Sequence, residues 1–324
     1  MRTRRVGASG LQVSQLGLGT LTWGRDTPVA EAKALVRRFH EAGGTLVDTA
    51  PAYGNGVAEK IIGQLIHTDL QRSDLVIATK GGFGVKDGRR VVDTSRSALL
   101  DDLAASLRRL HTDHVDLWQV HAWGEAPIEE TLEALDHAVR AGMARYVGVS
   151  NYVGWQTARA ATWQQAVPGR TPLVSTQVEY SLLARRSEIE VIPALRSLGM
   201  GLFPWSPLGR GVLTGKYRGG MTPRGSRGAA DHFSWFVEPY LEDKSRAITD
   251  AVAKAAEGLD LLPHQVALLW VRDAPGVTAP LLGPRTVEQL DELLGLDDVS
   301  LPTQITAALD DVSGGPNVGR TSTP

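Results

Sequence analysis

The feature that most constrains this chain is an alternation. Short apolar runs are followed by amphipathic stretches of helical period, and the pair recurs about eight times across the 324 residues. The runs are Leu16–Leu18, Thr45–Val47, Leu75–Ala78, Val115–Gln119, Tyr146–Val149, Val174–Gln177, Gly201–Pro204 and Val277–Pro280. They are short and apolar, as expected for strands buried on both faces of a parallel sheet. Between them, Val29, Ala32, Leu35, Val36 and Phe39 share one helical face. That helix is entered through Thr27 as N-cap and Pro28 at the first helical position, and is stopped by Gly43-Gly44. Leu99, Leu103, Leu107 and Leu110 repeat the pattern, as do Ile128, Leu132, Leu135 and Val139 behind Pro127, and Val266, Leu269 and Trp270 behind Pro263. Alternation kept over the whole length implies an α/β fold with a parallel sheet. Eight units predict one closed (β/α)8 TIM barrel domain over residues 1–324, with a doubly wound sheet as the competitor.

Two segments fall outside the alternation. Gly7 and Ser9-Gly10 divide Arg4–Val13 into short runs, which predicts a β-hairpin capping one barrel end. After the seventh strand, between Lys216 and Glu242, the periodicity fails in a glycine-rich stretch that also carries Trp235 and Phe236. A patternless run of that size predicts a long functional loop. The tail from Ser313 onward is rich in Gly, Ser, Thr and Pro and is expected to fray.

Composition excludes several classes of function. Lys plus Arg is 34 and Asp plus Glu is 36, a net charge of −2, so no nucleic-acid partner is expected. There is no cysteine, which removes disulfide scaffolds, thiolate metal sites and cysteine nucleophiles. The eight histidines show no His-x-x-x-His or His-Glu-x-x-His spacing, so no metal site is expected. No apolar run approaches the ~18–20 residues that span a bilayer. Met1-Arg2-Thr3-Arg4-Arg5 has no apolar segment behind it, so the expected compartment is the cytoplasm. Gly17-Leu18-Gly19-Thr20 opens like a dinucleotide fingerprint, but its third glycine position is Thr22. Gly209–Lys216 ends in Gly-Lys like a P-loop, but Tyr217 stands where a Ser or Thr would hold magnesium.

The informative residues sit at the predicted carboxyl ends of successive strands. Asp48 ends the second, with Tyr53 five residues on; Lys80 ends the third and His121 the fourth. In a barrel such positions converge on one mouth. The chemistry of that set is specific. A phenol of ordinary pKa, about 10, exchanges protons poorly at neutrality. A neighbouring lysine ammonium favours the phenolate and is expected to lower that value, while a carboxylate holds the lysine. Tyr53 then serves as proton donor, and His121 orients a carbonyl and stabilises its developing negative charge. No side chain supplies hydride, so a nicotinamide or flavin is required. Taken singly, each residue has a plainer explanation: Asp48 as a turn residue, Tyr53 as a loop aromatic beside Gly54-Asn55-Gly56, Lys80 as a solvated charge, His121 as a structural imidazole. The joint pattern carries the argument.

At these positions the sequence resembles the aldo-keto reductase superfamily. The resemblance rests on Gly17-Leu18-Gly19-Thr20, Asp48-Thr49-Ala50-x-x-Tyr53-Gly54, Thr79-Lys80, Gln119-Val120-His121, Gly148-Val149-Ser150-Asn151, Gln177-Val178-Glu179-Tyr180 and Trp205-Ser206-Pro207-Leu208, and runs from about Val6 to Leu294. It is most similar to the branch containing bacterial general-stress-type reductases and potassium-channel β subunits. The resemblance implies a barrel that binds NADP(H) without a Rossmann fold and interconverts small-molecule carbonyls and alcohols. It makes Asp48, Tyr53, Lys80 and His121 the catalytic tetrad, with Tyr53 as the acid. It sets Gly19, Thr20, Leu21 and Asp48 beside the cofactor, Ser150, Asn151 and Gln177 at the nicotinamide carboxamide, and Trp205 against the ring. Ser206, Pro207, Leu208, Gly209 and Gly211 would line the pyrophosphate, with Lys216 beside them and Ser226-Arg227 closing over. Gly283–Glu292 resembles the adenosine-phosphate motif, with Gln289 and Glu292 toward adenine. There Arg285 can fork onto a 2′-phosphate, which favours NADP over NAD. Thr286-x-x-Gln289 is also a capping box that needs no ligand. Trp23, Tyr53, Phe83, His121 and Trp123 are the expected substrate pocket, with Trp235 a further candidate. Trp123-Gly124-Glu125 departs from the family's usual residues and makes that wall particular to this chain. The alternative within the same resemblance is an NADPH-binding regulatory or scaffold subunit with little turnover.

Overall fold

The computed structural model describes residues 1–86 and 89–314. Its eight parallel strands are Gly17–Gly19, Leu46–Asp48, Val76–Gly81, Val115–Val120, Ala144–Ser150, Leu173–Glu179, Gly201–Trp205 and Leu281–Leu282. They pair in chain order, with the eighth on the outer edge of the first. A parallel bridge between Leu202 and Val277, and Thr278 N–H donating to Leu202 O at 2.8 Å, draw the seventh strand toward the eighth segment. The sheet thereby becomes a nearly closed (β/α)8 barrel, the expected architecture.

The eighth strand lies later than the apolar run Val277–Pro280 indicates. Pro280 has no N–H to give the ladder. Its carbonyl accepts from Gly17 N–H at 3.0 Å, and paired residues begin at Leu281. The first helix, Val29–Glu41, is capped by Pro28 rather than Thr27, whose hydroxyl is instead 2.9 Å from that of Thr22. At its end Gly43 has φ +79, the left-handed geometry a helix stop uses. Arg96–Leu110, Ile128–Arg140 and Pro263–Arg272 are the other helices indicated by periodicity.

Side chains alternate along each strand, and the two faces do different work. Val47, Ile77, Trp118 and Val147 face outward and belong to the large core between barrel and helices. Leu46, Ala78, Leu117, Val174, Phe203 and Leu281 form a separate inner core together with Val6, Leu11 and Val13. Those last three come from the N-terminal hairpin, Thr3–Arg5 against Gln12–Ser14. The hairpin therefore plugs the amino end of the barrel, and the carboxyl end remains as the mouth. Gly17 faces the same interior, where a Cβ would fall 2.6 Å from a Leu281 methyl. Its glycine serves barrel packing rather than a dinucleotide turn.

Two further features surround the mouth. A hairpin, Phe83–Lys86 with Arg89–Val92, follows the third strand. After the seventh strand, residues 206–242 run through single turns and one short helix, Ser234–Val237, before the helix Asp243–Leu259. Ser313 is not frayed: it ends the helix Thr303–Ser313, buried, with its hydroxyl 2.6 Å from Arg185 Nη1. Residues 315–324 of the expected tail lie outside the described residues.

Candidate active site

Asp48 and Lys80 are inward positions one pleat above Leu46 and Ala78, so they stand on the inner core at the level of the mouth. Lys80 is fully buried. Its Nζ donates to Asp48 Oδ2 at 2.6 Å, to Thr49 O at 3.0 Å and to Tyr53 OH at 3.2 Å. Asp48 Oδ1 accepts from Gln177 Nε2 at 2.7 Å, so both carboxylate oxygens are fixed. Tyr53 leaves the second strand through the turn Tyr53–Gly56 and meets His121 edge to face, with ring centroids 6.1 Å apart. Phe83 covers the same imidazole at 5.0 Å. Four side chains far apart in sequence thus share one opening.

Their protonation follows from burial and charge. Burial opposes a charge on Lys80, but the Asp48 carboxylate and the phenol outweigh it, and the amine's pKa lies above the ordinary lysine value. His121 is pushed down to about 3, first by burial and then by the Lys80 charge, so its imidazole is neutral at physiological pH. Tyr53 differs from expectation. Its hydroxyl is enclosed, and burial raises its pKa by more than Lys80 lowers it, with Asp48 adding to the rise. The phenol is therefore held protonated.

The residues expected beside a cofactor occupy the arc of the mouth from the fifth strand round to the first. Ser150 Oγ donates to Gln177 O at 3.0 Å. Asn151 donates to His121 O at 2.9 Å and accepts from Trp205 Nε1 at 3.0 Å. Asn151 and Ser206 have φ of +58 and +54, a left-handed geometry rare outside glycine, where the fifth and seventh strands end. Thr20 donates from its hydroxyl to Asp48 O at 3.0 Å, so it braces the second strand, while Gly19 lines the barrel and Leu21 is exposed. Pro207 and Leu208 lead into the turn Gly209–Thr214, which includes Gly211.

Lys216, Arg227 and Arg285 form a cluster of cations with no ion-pair partner among the described residues. A Cβ on Gly211 would lie 3.0 Å from Lys216 Nζ, and one on Gly283 would lie 3.2 Å from Arg227 Nη2. Lys216 is pushed down to about 8 by burial and by Arg227 and Arg285. Arg227 is brought down to about 10 by burial and Arg285. Buried, closely spaced cations with no ion-pair partner among the described residues fit a polyanionic ligand such as a dinucleotide's phosphates. Arg285 donates from Nη2 to Gly225 O at 2.5 Å. Its backbone N–H donates to Gln289 Oε1 at 2.9 Å, while Thr286 Oγ1 accepts from Gln289 N–H at 3.3 Å. The box is thus half made: the glutamine side chain serves Arg285 instead of the cap. Glu292 lies 3.2 Å from His264.

The aromatic expectations divide. Phe83 and Trp123 stand half-buried at the mouth, but Trp23 is fully buried in the outer core and offers no wall to a ligand. Trp235 is exposed, with the Arg90 guanidinium 4.5 Å from its ring centre.

Residues 15–313 match the profile of the aldo/keto reductase family. The chain belongs to that family. It is 36% identical to the uncharacterized oxidoreductase YrpG of Bacillus subtilis (strain 168), over 96% of this chain and 95% of that protein. It is also 36% identical to a probable voltage-gated potassium channel subunit beta of Oryza sativa subsp. japonica, over 94% of this chain and 93% of that one. A protein of the same description from Arabidopsis thaliana is 34% identical, over 96% and 95%. An oxidoreductase role follows from the family.

In this aldo/keto reductase, sequence reasoning passed over Arg210 and gave Phe236 no role. Arg210 grips Glu179 through two hydrogen bonds of 2.7 Å and donates to Phe236 O at 2.6 Å. The Phe236 ring stacks near that of Trp205, with centroids 6.3 Å apart. The one available signal was Arg210 between Gly209 and Gly211, a charge inside a turn.

Proposed function

We propose that the protein is an NADPH-dependent reductase that converts aldehyde or ketone carbonyls to alcohols, with Tyr53 as general acid. The observation that carries this reading is Lys80 Nζ, hydrogen-bonded at once to the Asp48 carboxylate and the Tyr53 hydroxyl at the mouth. A bound nicotinamide supplies the hydride that no side chain can.

The rest is done by the chain. His121, neutral beside the Lys80 charge, turns a ring N–H to the carbonyl oxygen and orients it. Tyr53, whose pKa burial raises above the ordinary phenol value, is held protonated and gives its proton to the oxygen as negative charge develops there. Lys80 then stabilises the phenolate left behind, and Asp48, pinned by Gln177, keeps the ammonium in place. Lys216, Arg227 and Arg285 hold the cofactor's phosphates, and Arg285 gives the preference for a 2′-phosphate. Asn151, Ser150 and Gln177 face the carboxamide, and Trp205 the ring. A small-molecule substrate and a cytoplasmic site of action complete the reading; the near-neutral charge and the lack of cysteine support it. Among the described residues no helix is long and apolar enough to cross a membrane.

The test is to mix pure protein, NADPH and a panel of aldehydes and follow nicotinamide absorbance. Turnover is expected with the native chain, and Tyr53→Phe is expected to abolish it while NADPH still binds. A native protein inactive across the panel would end this reading.

A further inference from the structure

Glu59 is a carboxylate on the apolar face of its helix, Val57–Thr68, beside Ala58, Ile61 and Ile62, and it is fully buried. Such a group is retained only where its oxygens are satisfied. Oε1 accepts from Thr79 Oγ1 at 2.7 Å, and Oε2 accepts from Arg109 Nε at 2.6 Å. Thr79 is the chain neighbour of Lys80, and Arg109 reaches the turn that begins at Tyr53. Thr79 precedes Lys80 on the third strand, so its side chain faces the helices while that of Lys80 faces the mouth. Arg109, on the helix Arg96–Leu110, lays its stem on Gly56, the last residue of the turn that begins at Tyr53. A Cβ on Gly56 would meet Arg109 Cδ at 2.7 Å, and Gly56 has φ +83. Another carboxylate on that helix, Asp102, accepts from Gly82 N–H at 2.8 Å just beyond the same strand. The strand segment holding Lys80 is thus gripped from behind on both sides of that residue.

We propose that Glu59 is a positioning residue for the proton donor: by tying the helix that follows Tyr53 to the strand that carries Lys80, it sets the 3.2 Å separation of Tyr53 OH and Lys80 Nζ. Glu59 touches neither substrate nor the reacting atoms. It acts through Thr79 on one side and through Arg109 and Gly56 on the other. The groups facing Glu59 are Thr79 and Arg109, with the Asp102 carboxyl also within electrostatic range. Those facing Tyr53 are Lys80, Asp48 and His121. This inference rests on the reading of Tyr53 as the acid.

The test uses the full chain with Thr79→Val, which deletes the hydroxyl at nearly constant volume, Thr79→Ser, which restores it, and Glu59→Gln. Each is assayed for folding by circular dichroism and for kcat and KM. The ionisation of Tyr53 is followed by NMR of tyrosine ring carbon, the signal being identified among the six tyrosines by its loss in Tyr53→Phe. Thr79→Val is expected to lower kcat roughly tenfold or more, because small displacements of a catalytic group are costly. KM should change little, and the Tyr53 ionisation should move upward as the phenolate loses its close ammonium. Thr79→Ser should restore both. A folded Thr79→Val with native kcat and native Tyr53 titration overturns the proposal, and it does so even if Glu59→Gln fails to fold. Should the native chain itself show no turnover, the reductase reading fails alone, and the NMR titration still decides whether Glu59 sets the Tyr53–Lys80 contact.

Discussion

Lys80 Nζ lies 2.6 Å from Asp48 Oδ2, in an ion pair whose amine side chain is fully hidden from solvent. Removing one partner of a buried pair strands the other. Lys80→Met is therefore expected to cost roughly 3–5 kcal/mol of stability in urea denaturation. It should also lower turnover by about 10²–10⁴-fold, because Tyr53 loses the charge that stabilises its phenolate. The double variant Asp48→Asn with Lys80→Met should recover much of the stability but none of the turnover. Recovery of activity in the double variant would show that the lysine acts only as a counter-ion.

The His121 imidazole, held down to about 3, gives a prediction in pH. Its folded value lies below the unfolded one, about 6.5, so the unfolded chain binds the extra proton between them. The stability linked to this group is complete above about pH 6.5 and is lost as pH falls toward 3. Turnover in the reductive direction should show no step near pH 6.5, and its alkaline limb should lie above the ordinary phenol range, because Tyr53 is raised. A pH profile of kcat on the native protein checks both; a fall in kcat as pH rises through about 6.5 would mean that His121 works as an imidazolium.

Most of this arrangement was legible in the sequence because barrel geometry turns strand order into proximity. Asp48, Lys80 and His121 needed only their positions at strand ends, and Tyr53 its short distance from Asp48. What escaped is what burial decides. The spacing of Lys80 and Tyr53 pointed to a lowered phenol, but enclosure of the hydroxyl reverses the sign. Trp23 looked like a pocket residue and is core, since nothing in its neighbours says which side of the barrel wall it takes. The hairpin Phe83–Lys86 with Arg89–Val92 has no continuous apolar face, so periodicity could not find it. Glu59 did leave a trace: a charge in phase with Ala58, Ile61 and Ile62 on a helix is costly unless paired.

Lys216 gives a second prediction in pH, of opposite consequence for binding and folding. It is depressed to about 8 by burial and by Arg227 and Arg285. Between that value and the unfolded 10.5 the unfolded chain holds more protons, so this group's contribution to stability rises with pH across the window. On the proposed reading the phosphates of NADPH bind the protonated amine, so affinity should fall as pH rises through about 8. Calorimetric titration should show that fall in the native chain and its loss in Lys216→Met. Arg285→Ala should weaken NADPH by about 10–100-fold and NADH far less, since a forked contact to a phosphate is worth roughly 1.5–3 kcal/mol. Equal loss for both cofactors would remove Arg285 from the 2′-phosphate.

Arg210 joins the barrel to the long segment after the seventh strand. It sits at φ +57, forks onto Glu179, donates to Phe236 O and lies 3.9 Å from that residue's ring centre. The outer contacts of the segment are His232 with Asp26 at 2.7 Å, Arg25 over Phe233 at 4.3 Å and Arg90 over exposed Trp235. Arg210 thus fastens the inner side of the segment that carries Lys216 and Arg227. Arg210→Met should leave the barrel folded, make residues 217–232 faster to cut in limited proteolysis, and speed NADPH release by about tenfold, the equivalent of roughly one hydrogen bond to a charged group. Arg210→Lys should resemble Met more than the native residue, because an ammonium cannot make the planar fork to Glu179. Protection by NADPH should survive in the native chain and weaken in both variants. Unchanged proteolysis and release in Arg210→Met would shift the anchoring to the His232–Asp26 pair at the rim.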